Sequence, residues 1–212
     1  PLRLVGSEMC IRDRHNPAVR QEAAAIINFW RAKGVHGFRF DVLNVIGKAE
    51  KLVDAPPGVA SKTLYTDTPI VQDYLKELAA NSFGQDQNSV TVGEMSSTTV
   101  KNSIAYTKPE NHELSMVFQF HHLKTDYKNG EKWTKEPYNF NALRDILHTW
   151  GQQLDQGGGW QALFWNNHDQ PRALNRFGNV DKYRVKSAEM LAAAIHLSRG
   201  TPYIYCLLYT SP

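Results

Sequence analysis

Cysteine, long apolar segments and strong net charge are all scarce in this sequence of 212 residues, and each scarcity excludes a class of protein. The two cysteines, Cys10 and Cys206, are too few for a disulfide scaffold, and the cysteine-free stretch between them suits a reducing compartment. No apolar run approaches the roughly 20 residues that cross a bilayer, so we predict no membrane span or membrane partner. A net charge of +3 is too small to indicate nucleic-acid binding, which favours a clustered basic face.

The remaining composition is typical of a folded globular chain. Hydrophobic residues make up 42% and charged residues 21%, proportions that exclude a disordered tail, a collagen-like repeat and a low-complexity linker. No glycine-rich phosphate loop follows any predicted strand, so nothing indicates a bound dinucleotide or nucleoside triphosphate. We therefore predict no cofactor.

Helix and strand patterns alternate along the chain. Asn16-Pro17 and Thr68-Pro69 are typical helix starts, because a polar cap accepts from free backbone N–H groups and proline fits the first helical position. Further helices are predicted over residues 97–106, 139–154 and 183–199, and strands over 36–42, 89–92, 114–120, 162–165 and 202–205. This order predicts an α/β fold with a mostly parallel sheet, either open and doubly wound or closed into a barrel. In the first helix, the spacing predicts five residues on the inward face: Val19, Ala23, Ile26, Ile27 and Trp30.

Three carboxylates stand at or just beyond the carboxyl ends of predicted strands: Asp41 after GFRF, Glu94 after TVG and Asp169 after FWNNH. In a parallel barrel, catalytic groups gather at this rim. Each carboxylate alone is explained equally well by a structural role, as the cap of a helix on a strand-to-helix loop. Three at equivalent positions, with Arg39 and His168 beside two of them, favour a catalytic set.

The chemistry that suits such a set is glycoside hydrolysis with retention. One carboxylate attacks the anomeric carbon while another serves as acid and then as base. The nucleophile must stay ionised, which Arg39 favours from its place two residues before Asp41. The proton donor needs a raised pKa, which desolvation and nearby negative charge supply. A third carboxylate beside a histidine can hold sugar hydroxyls and stabilise positive charge.

The segments GFRFDV, TVGEM and NNHDQPR resemble the conserved strands of the α-amylase superfamily, glycoside hydrolase family 13, in the same order. The resemblance implies a (β/α)₈ barrel and a retaining mechanism without a cofactor. It implies that Asp41 is the nucleophile, Glu94 the acid/base and Asp169 the transition-state stabiliser.

The same segments imply further substrate-site residues, namely Arg39, His168 and Arg172. Within the superfamily, GEM, DVLN and NHDQPR are similar to the oligo-1,6-glucosidase group. GEMSSTT, LSMVFQFHHLK and GEKW are most similar to its members that split trehalose 6-phosphate, a phosphorylated disaccharide, into glucose and glucose 6-phosphate. Val42, directly after Asp41, resembles members that avoid α-1,4 maltosides.

The segment HHLKTDYKNGEKW carries three lysines on one predicted rim loop. Lysine is a point charge for phosphate, so the loop suits a phosphorylated sugar. We predict that Lys124 and Lys132 contact phosphate and that Lys128, beside Asn129-Gly130, is solvated at the turn tip. An ordinary solvated loop is the alternative. His121 and His122 are too few for a metal site, so we predict pocket or packing roles for them and no metal.

Two other functions stay open. One is an oligo-1,6-glucosidase or another α-glucosidase on neutral sugars, which needs no clustered cations. The other is a non-enzymatic binding or chaperone subunit of the family, which the presence of all three carboxylates disfavours.

Family members are much longer than this chain. Residues 15–205 resemble the fourth to the eighth strands of the barrel, so we predict a fragment of a catalytic domain whose isolated form is inactive. Residues 1–14 and 206–212 match nothing expected of the family, and we predict that both tails are non-native. Both cysteines lie in these tails, so the prediction of a cytoplasmic location comes from the resemblance.

Overall fold

Five short parallel strands form one sheet, and helices connect them in sequence. The computed structural model of the chain describes residues 14–49, 53–95, 97–132 and 134–205. The strands are β1 (Gly37–Phe40), β2 (Val90–Glu94), β3 (Met116–Phe118), β4 (Gln161–Leu163) and β5 (Thr201–Pro202). The helices are α1 (Pro17–Arg31), α2 (Pro69–Ala80), α3 (Val100–Thr107), α4 (Phe140–Gln156), α5 (Ala173–Phe177) and α6 (Arg184–His196).

The order of strands in the sheet decides between the two predicted architectures. The sheet runs β1-β2-β3-β4-β5, and every neighbouring pair is parallel. A doubly wound sheet reverses its strand order at a switch point, whereas a (β/α)₈ barrel adds each new strand beside the last. The fold is therefore part of a (β/α)₈ barrel, as the sequence resemblance implied, and all five carboxyl ends share one rim.

Capping explains where three of the helices begin. The Asn16 side chain accepts from the backbone N–H of Ala18 at 3.0 Å, and the Asn139 side chain accepts from Ala142 at 3.0 Å. Thr99 caps α3 in the same way. Thr68 precedes α2 as predicted, but its hydroxyl donates to the Gly47 carbonyl instead of capping the helix.

Two features of the helices differ from the sequence prediction. In α1, Ile27 is buried, but Ile26 and Trp30 are each about half exposed, at 48% and 49%. The reason is that β1 is the first strand of the described sheet and α1 packs against α2, so only part of the predicted face is covered. The short helix α5 was not predicted, because five residues carry too little periodicity to identify.

Side chains from both faces of the sheet form the core. One cluster joins α1, α2 and the loop after β1, and includes Ile27, Leu43, Val71 and Leu75. A second joins β4 to α5 and α6 through Leu163, Phe164, Trp165 and Leu191. A third, smaller cluster comes from the strands themselves: Val92, Met116 and Ala162. Phe164 and Trp165 are buried, at 3% and 5% exposed. No helix among the described residues has both the length and the apolar character that crossing a bilayer requires.

A buried carboxylate lies far from the rim, just before β3. Glu113 is 4% exposed, and neither of its oxygens has a hydrogen-bond partner among the described residues. Lys76 Nζ lies 3.8 Å from Oε1. Burial raises the pKa of Glu113 from 4.5 to about 7, against the opposing effect of Lys76. The charged form of Glu113 is thus disfavoured in the folded chain.

We expect Glu113 to make the stability of the protein fall with rising pH. Between pH 4.5 and about 7 the folded chain keeps a proton on Glu113 that the unfolded chain has released. The contribution of Glu113 to the free energy of unfolding is therefore full below pH 4.5 and is lost as the pH rises through 7. The loss amounts to roughly 2–4 kcal/mol. Glu113→Gln in the full-length protein should therefore raise the melting temperature at pH 8 but not at pH 5. The exposed Glu110→Gln is the control, and equal shifts at both pH values would refute this account.

Candidate active site

The ends of β1 and β2 bring Arg39, Asp41 and Glu94 together. Arg39 lies opposite Val92 in the strand register, so its guanidinium reaches both neighbouring strand ends. Its Nη1 donates to Asp41 Oδ1 at 2.9 Å, and its Nη2 donates to Glu94 Oε2. One arginine therefore bridges two carboxylates that stand 53 positions apart in the chain.

The two carboxylates differ in exposure. The Asp41 side chain is 47% exposed, whereas that of Glu94 is 10% exposed. Burial raises the pKa of Glu94; Arg39 opposes this shift, while a hydrogen bond that protonated Glu94 donates to Asp41 and the charges of Asp41 and Asp169 add to it. The arrangement suits a proton donor at Glu94 and places the solvent-accessible Asp41 carboxylate beside the Arg39 guanidinium.

The loop after β4 carries the third carboxylate. Asn167 accepts from the backbone N–H of Asp169 at 2.9 Å, and Asn166 accepts from the N–H of Ala173 at 2.8 Å, at the start of α5. His168 Nε2 lies 3.5 Å from Asp169 Oδ2. The charge of Asp169 acts on Glu94, so all three predicted carboxylates share one electrostatic environment at the rim.

The backbone turns sharply directly after Asp41. Val42 has φ 41° and ψ 46°, the left-handed region that a β-branched residue rarely adopts. Strain of this kind persists only where the surroundings over-determine it, and it concentrates at functional sites. Val42 thus occupies the turn that directs Asp41 toward the rim.

A buried polar network supports this turn, and sequence reasoning did not find it. Asn44 is fully buried; its Nδ2 donates to Asp67 Oδ1 at 2.9 Å, and its carbonyl accepts from the Asp67 N–H at 2.9 Å. Tyr106 donates its hydroxyl to the same carboxylate at 2.9 Å, and burial raises its pKa, which keeps it a donor. The one available signal was the polar Asn44 within an apolar segment.

A cavity of about 310 Å³ opens beside these groups. Its lining combines polar and aromatic side chains, among them Arg39, Glu94, His168, Phe118, Phe164 and Tyr203. Mixed apolar walls with a few convergent polar groups are typical of small-molecule sites. The cavity is of a size to hold a sugar ring.

The three lysines of the rim loop lie in different surroundings. Lys132 Nζ donates to the Asp169 carbonyl at 2.9 Å, which places it beside the third carboxylate. Lys128 pairs with Glu136 at 2.7 Å and precedes the turn at Asn129, as predicted for a turn tip. Partial burial of its ammonium group and the nearby charge of Lys62 lower the pKa of Lys124. Trp133, which follows Lys132 in the chain, lies outside the described residues.

Arg172 lines a different cavity from Arg39, Glu94 and His168. Its guanidinium lies over the ring of Tyr205, 5.3 Å from the centroid. It lines a separate cavity of about 420 Å³ together with Arg184, and Tyr205 lines both cavities. The structure therefore brings Arg39 and His168 to one cavity with Glu94 and places Arg172 beyond Tyr205.

Both histidines of the rim loop make contacts within the protein. His121 Nε2 lies 2.8 Å from the Thr98 carbonyl, and its ring stacks on Trp150. His122 is buried against Phe164 and Trp165. Within the described part of the chain, no group of three or more histidine, cysteine, aspartate or glutamate residues is arranged to hold a metal ion.

Comparison with known proteins decides the family. The sequence profile of the α-amylase catalytic domain matches residues 3–206. This chain belongs to the α-amylase family. The family that the strand motifs indicated is therefore confirmed.

Relatives within the α-amylase family support the predicted subgroup. The chain is 51% identical over 190 residues to the trehalose-6-phosphate hydrolase of Bacillus subtilis, covering 90% of this chain and 34% of that protein. It is 43% identical over 195 residues to the oligo-1,6-glucosidase of Parageobacillus thermoglucosidasius, again covering 90% and 34%. The crystal structure of the Bacillus licheniformis trehalose-6-phosphate hydrolase superposes with a TM-score of 0.86 at 50% identity, covering 91% and 34%. The chain thus spans about a third of the length of these relatives.

Proposed function

We propose that the full-length enzyme containing this chain hydrolyses α-glucosides with retention of configuration, and that its substrate is trehalose 6-phosphate. The observation that carries the proposal is the Arg39 bridge between Asp41 and Glu94, with Asp169 close enough to act on Glu94. Two carboxylates at one rim, of which the more buried, Glu94, has a raised pKa, are what a retaining glycosidase requires.

Each carboxylate has a distinct task in this mechanism. Asp41 attacks the anomeric carbon while Glu94 gives its proton to the glycosidic oxygen, so one C–O bond forms as the other breaks. Glu94, now ionised, takes a proton from water, which attacks the same carbon and releases Asp41. Arg39 donates to Asp41 at 2.9 Å and so holds the attacking carboxylate in place.

Asp169 and His168 complete the site. Both side chains are about half exposed at the rim, where they can accept from and donate to sugar hydroxyls. The carboxylate of Asp169 also stabilises the positive charge that develops at the anomeric carbon. In this proposal Val42 forms the turn that presents Asp41, and Arg172 lines the neighbouring cavity, which shares Tyr205 with the site.

The phosphate proposal depends on the rim lysines. Partial burial and the nearby charge of Lys62 lower the pKa of Lys124, and an anion bound beside both ammonium groups would oppose that effect. Lys132 is held beside Asp169, so a phosphate there would lie next to the sugar site. The 51% identical relative is named for trehalose 6-phosphate, which agrees with this substrate.

Single lysine substitutions test the substrate class. One charge-assisted contact contributes about 1.5–3 kcal/mol, so Lys124→Ala or Lys132→Ala should lower kcat/KM for trehalose 6-phosphate by about 10- to 100-fold. Activity on an aryl α-glucoside, which has no phosphate, should barely change. Both substrates are assayed with the full-length enzyme and with each variant.

Lys128→Ala is the matched control, because this lysine pairs with Glu136 at the turn and should affect neither substrate. If both substrates fall together in the Lys124 and Lys132 variants, the lysines are structural. The α-glucosidase acting on neutral sugars, as in the 43% identical relative, then becomes the better assignment.

We also place the enzyme in the cytoplasm. This part of the proposal rests on the family resemblance and on the phosphorylated disaccharide proposed as the substrate.

A further inference from the structure

His122 connects the carboxyl end of β3 to the carboxyl end of β4. It is 1% exposed, and its Nε2 lies 2.7 Å from the Phe164 carbonyl oxygen. A carbonyl only accepts, so Nε2 carries the proton, and Nδ1 accepts from the side-chain amide of Gln119 at 3.1 Å. The Gln119 oxygen in turn accepts from the backbone N–H of His121 at 2.8 Å. Both ring nitrogens of His122 are therefore satisfied within the protein.

The imidazole of His122 is also kept neutral. Its ring packs edge-on against Phe164 and Trp165, with centroids 5.4 and 5.6 Å apart. This burial lowers the pKa of His122 to about 4, and the charges of His121 and Arg176 act in the same direction. A neutral, enclosed imidazole has neither the charge nor the access to bind a substrate phosphate, in contrast to the lysines on the same loop.

The carbonyl that His122 holds begins the segment that ends at Asp169, residues 164–169. The far side of this segment is anchored by a second contact between the same two loops. Arg176 in α5 donates through Nε to Asp126 Oδ2 at 2.7 Å and also donates to the Leu123 carbonyl. The segment 164–169 thus lies between two fixed points, His122 before it and Arg176 after it.

We propose that His122 is a positioning residue, which holds the Phe164 carbonyl and thereby sets the place of Asp169 relative to Asp41 and Glu94. This inference rests on the proposed function, because Asp169 matters only if it acts on the sugar. It assigns to the HHLK segment two separate tasks: Lys124 contacts substrate, whereas His122 maintains the geometry of the catalytic rim. A displacement of about 1 Å in such a group is enough to cost about 100-fold in rate.

Two amide variants of different reach test the proposal in the full-length enzyme. The amide nitrogen of His122→Gln can occupy the place of Nε2 and donate to Phe164, whereas the shorter His122→Asn cannot. We expect His122→Asn to lower kcat by about 10- to 100-fold on both trehalose 6-phosphate and an aryl α-glucoside, with KM changed less than kcat. His122→Gln should keep kcat within about 3-fold of the unsubstituted enzyme on both substrates. The exposed His148→Gln is the control.

The readouts separate this role from the alternatives. Rates are expressed per folded enzyme, measured well below each variant's melting temperature, so a loss of stability alone leaves kcat unchanged and would overturn the proposal. A rise in KM for the phosphorylated substrate only would make His122 a phosphate ligand and overturn it as well. Equal losses in the Asn and Gln variants would show that the Phe164 contact is not what matters. If the unsubstituted enzyme hydrolyses neither substrate, the proposed function itself fails before the variants are compared.

Discussion

Asp41→Asn is expected to eliminate hydrolysis of every α-glucoside by the full-length enzyme. The amide has no ionised oxygen to attack the anomeric carbon, so the covalent glycosyl-enzyme cannot form. We expect kcat to fall on the order of 10⁴-fold or more on both phosphorylated and neutral substrates. Mass spectrometry of enzyme quenched during turnover should show the added glucosyl mass on the unsubstituted protein and not on the variant.

The control for this substitution is Asp181→Asn, an exposed aspartate between α5 and α6 that should leave turnover unchanged. Arg39 keeps its contact with Glu94 in the Asp41 variant, so the rim retains one half of the bridge. Substantial turnover, or a glucosyl adduct that persists in Asp41→Asn, would remove Asp41 from the nucleophile role.

Glu94→Gln should produce a loss that depends on the leaving group. The sugar that is displaced from trehalose 6-phosphate leaves as an alkoxide unless it is protonated, whereas a nitrophenolate leaves without help. General acid catalysis contributes about 10²–10⁴-fold, so the loss of kcat/KM should be about 10²-fold or more greater for trehalose 6-phosphate than for a nitrophenyl α-glucoside. Steady-state assays on the two substrates measure the difference.

The pH profile provides a second readout for Glu94. Burial raises its pKa, and Glu94 must be protonated to act as the acid, so kcat/KM should fall as the pH rises through this raised value. In Glu94→Gln, that alkaline limb should disappear. Equal losses on both substrates, together with an unchanged alkaline limb, would assign the acid to another group.

Local sequence signals predicted the elements of this fold well. Asn16-Pro17 and Asn139 begin helices because their side chains accept from backbone N–H groups within two or three residues, an interaction that needs no distant partner. Burial of α1 could not be predicted in the same way. Which flank of that helix is covered depends on its position beside the first strand of the sheet, and Trp30 is half exposed as a result.

The candidate site, like the fold, was predicted from the sequence only in part. The strand patterns predicted that Asp41, Glu94 and Asp169 lie at or just beyond strand ends. Parallel strands place their carboxyl ends at one rim, so the sequence also predicted that the three residues share it. The sequence did not predict that the Arg39 guanidinium joins Asp41 to Glu94, because this contact depends on the register between β1 and β2. The separate surroundings of the three rim lysines depend equally on contacts with distant segments.

By itself, the sequence determined the alternation of helices and strands, the three carboxylates and the family to which the chain belongs. These features follow from hydrophobic period, capping chemistry and short motifs, all of which act over a few residues. Only the tertiary structure decided the β1-β2-β3-β4-β5 order of the strands in the sheet, the raised pKa of Glu94 and the neutral state of His122. Those properties arise from burial and from charges on other elements, and the chain acquires both only when the strands close into one sheet.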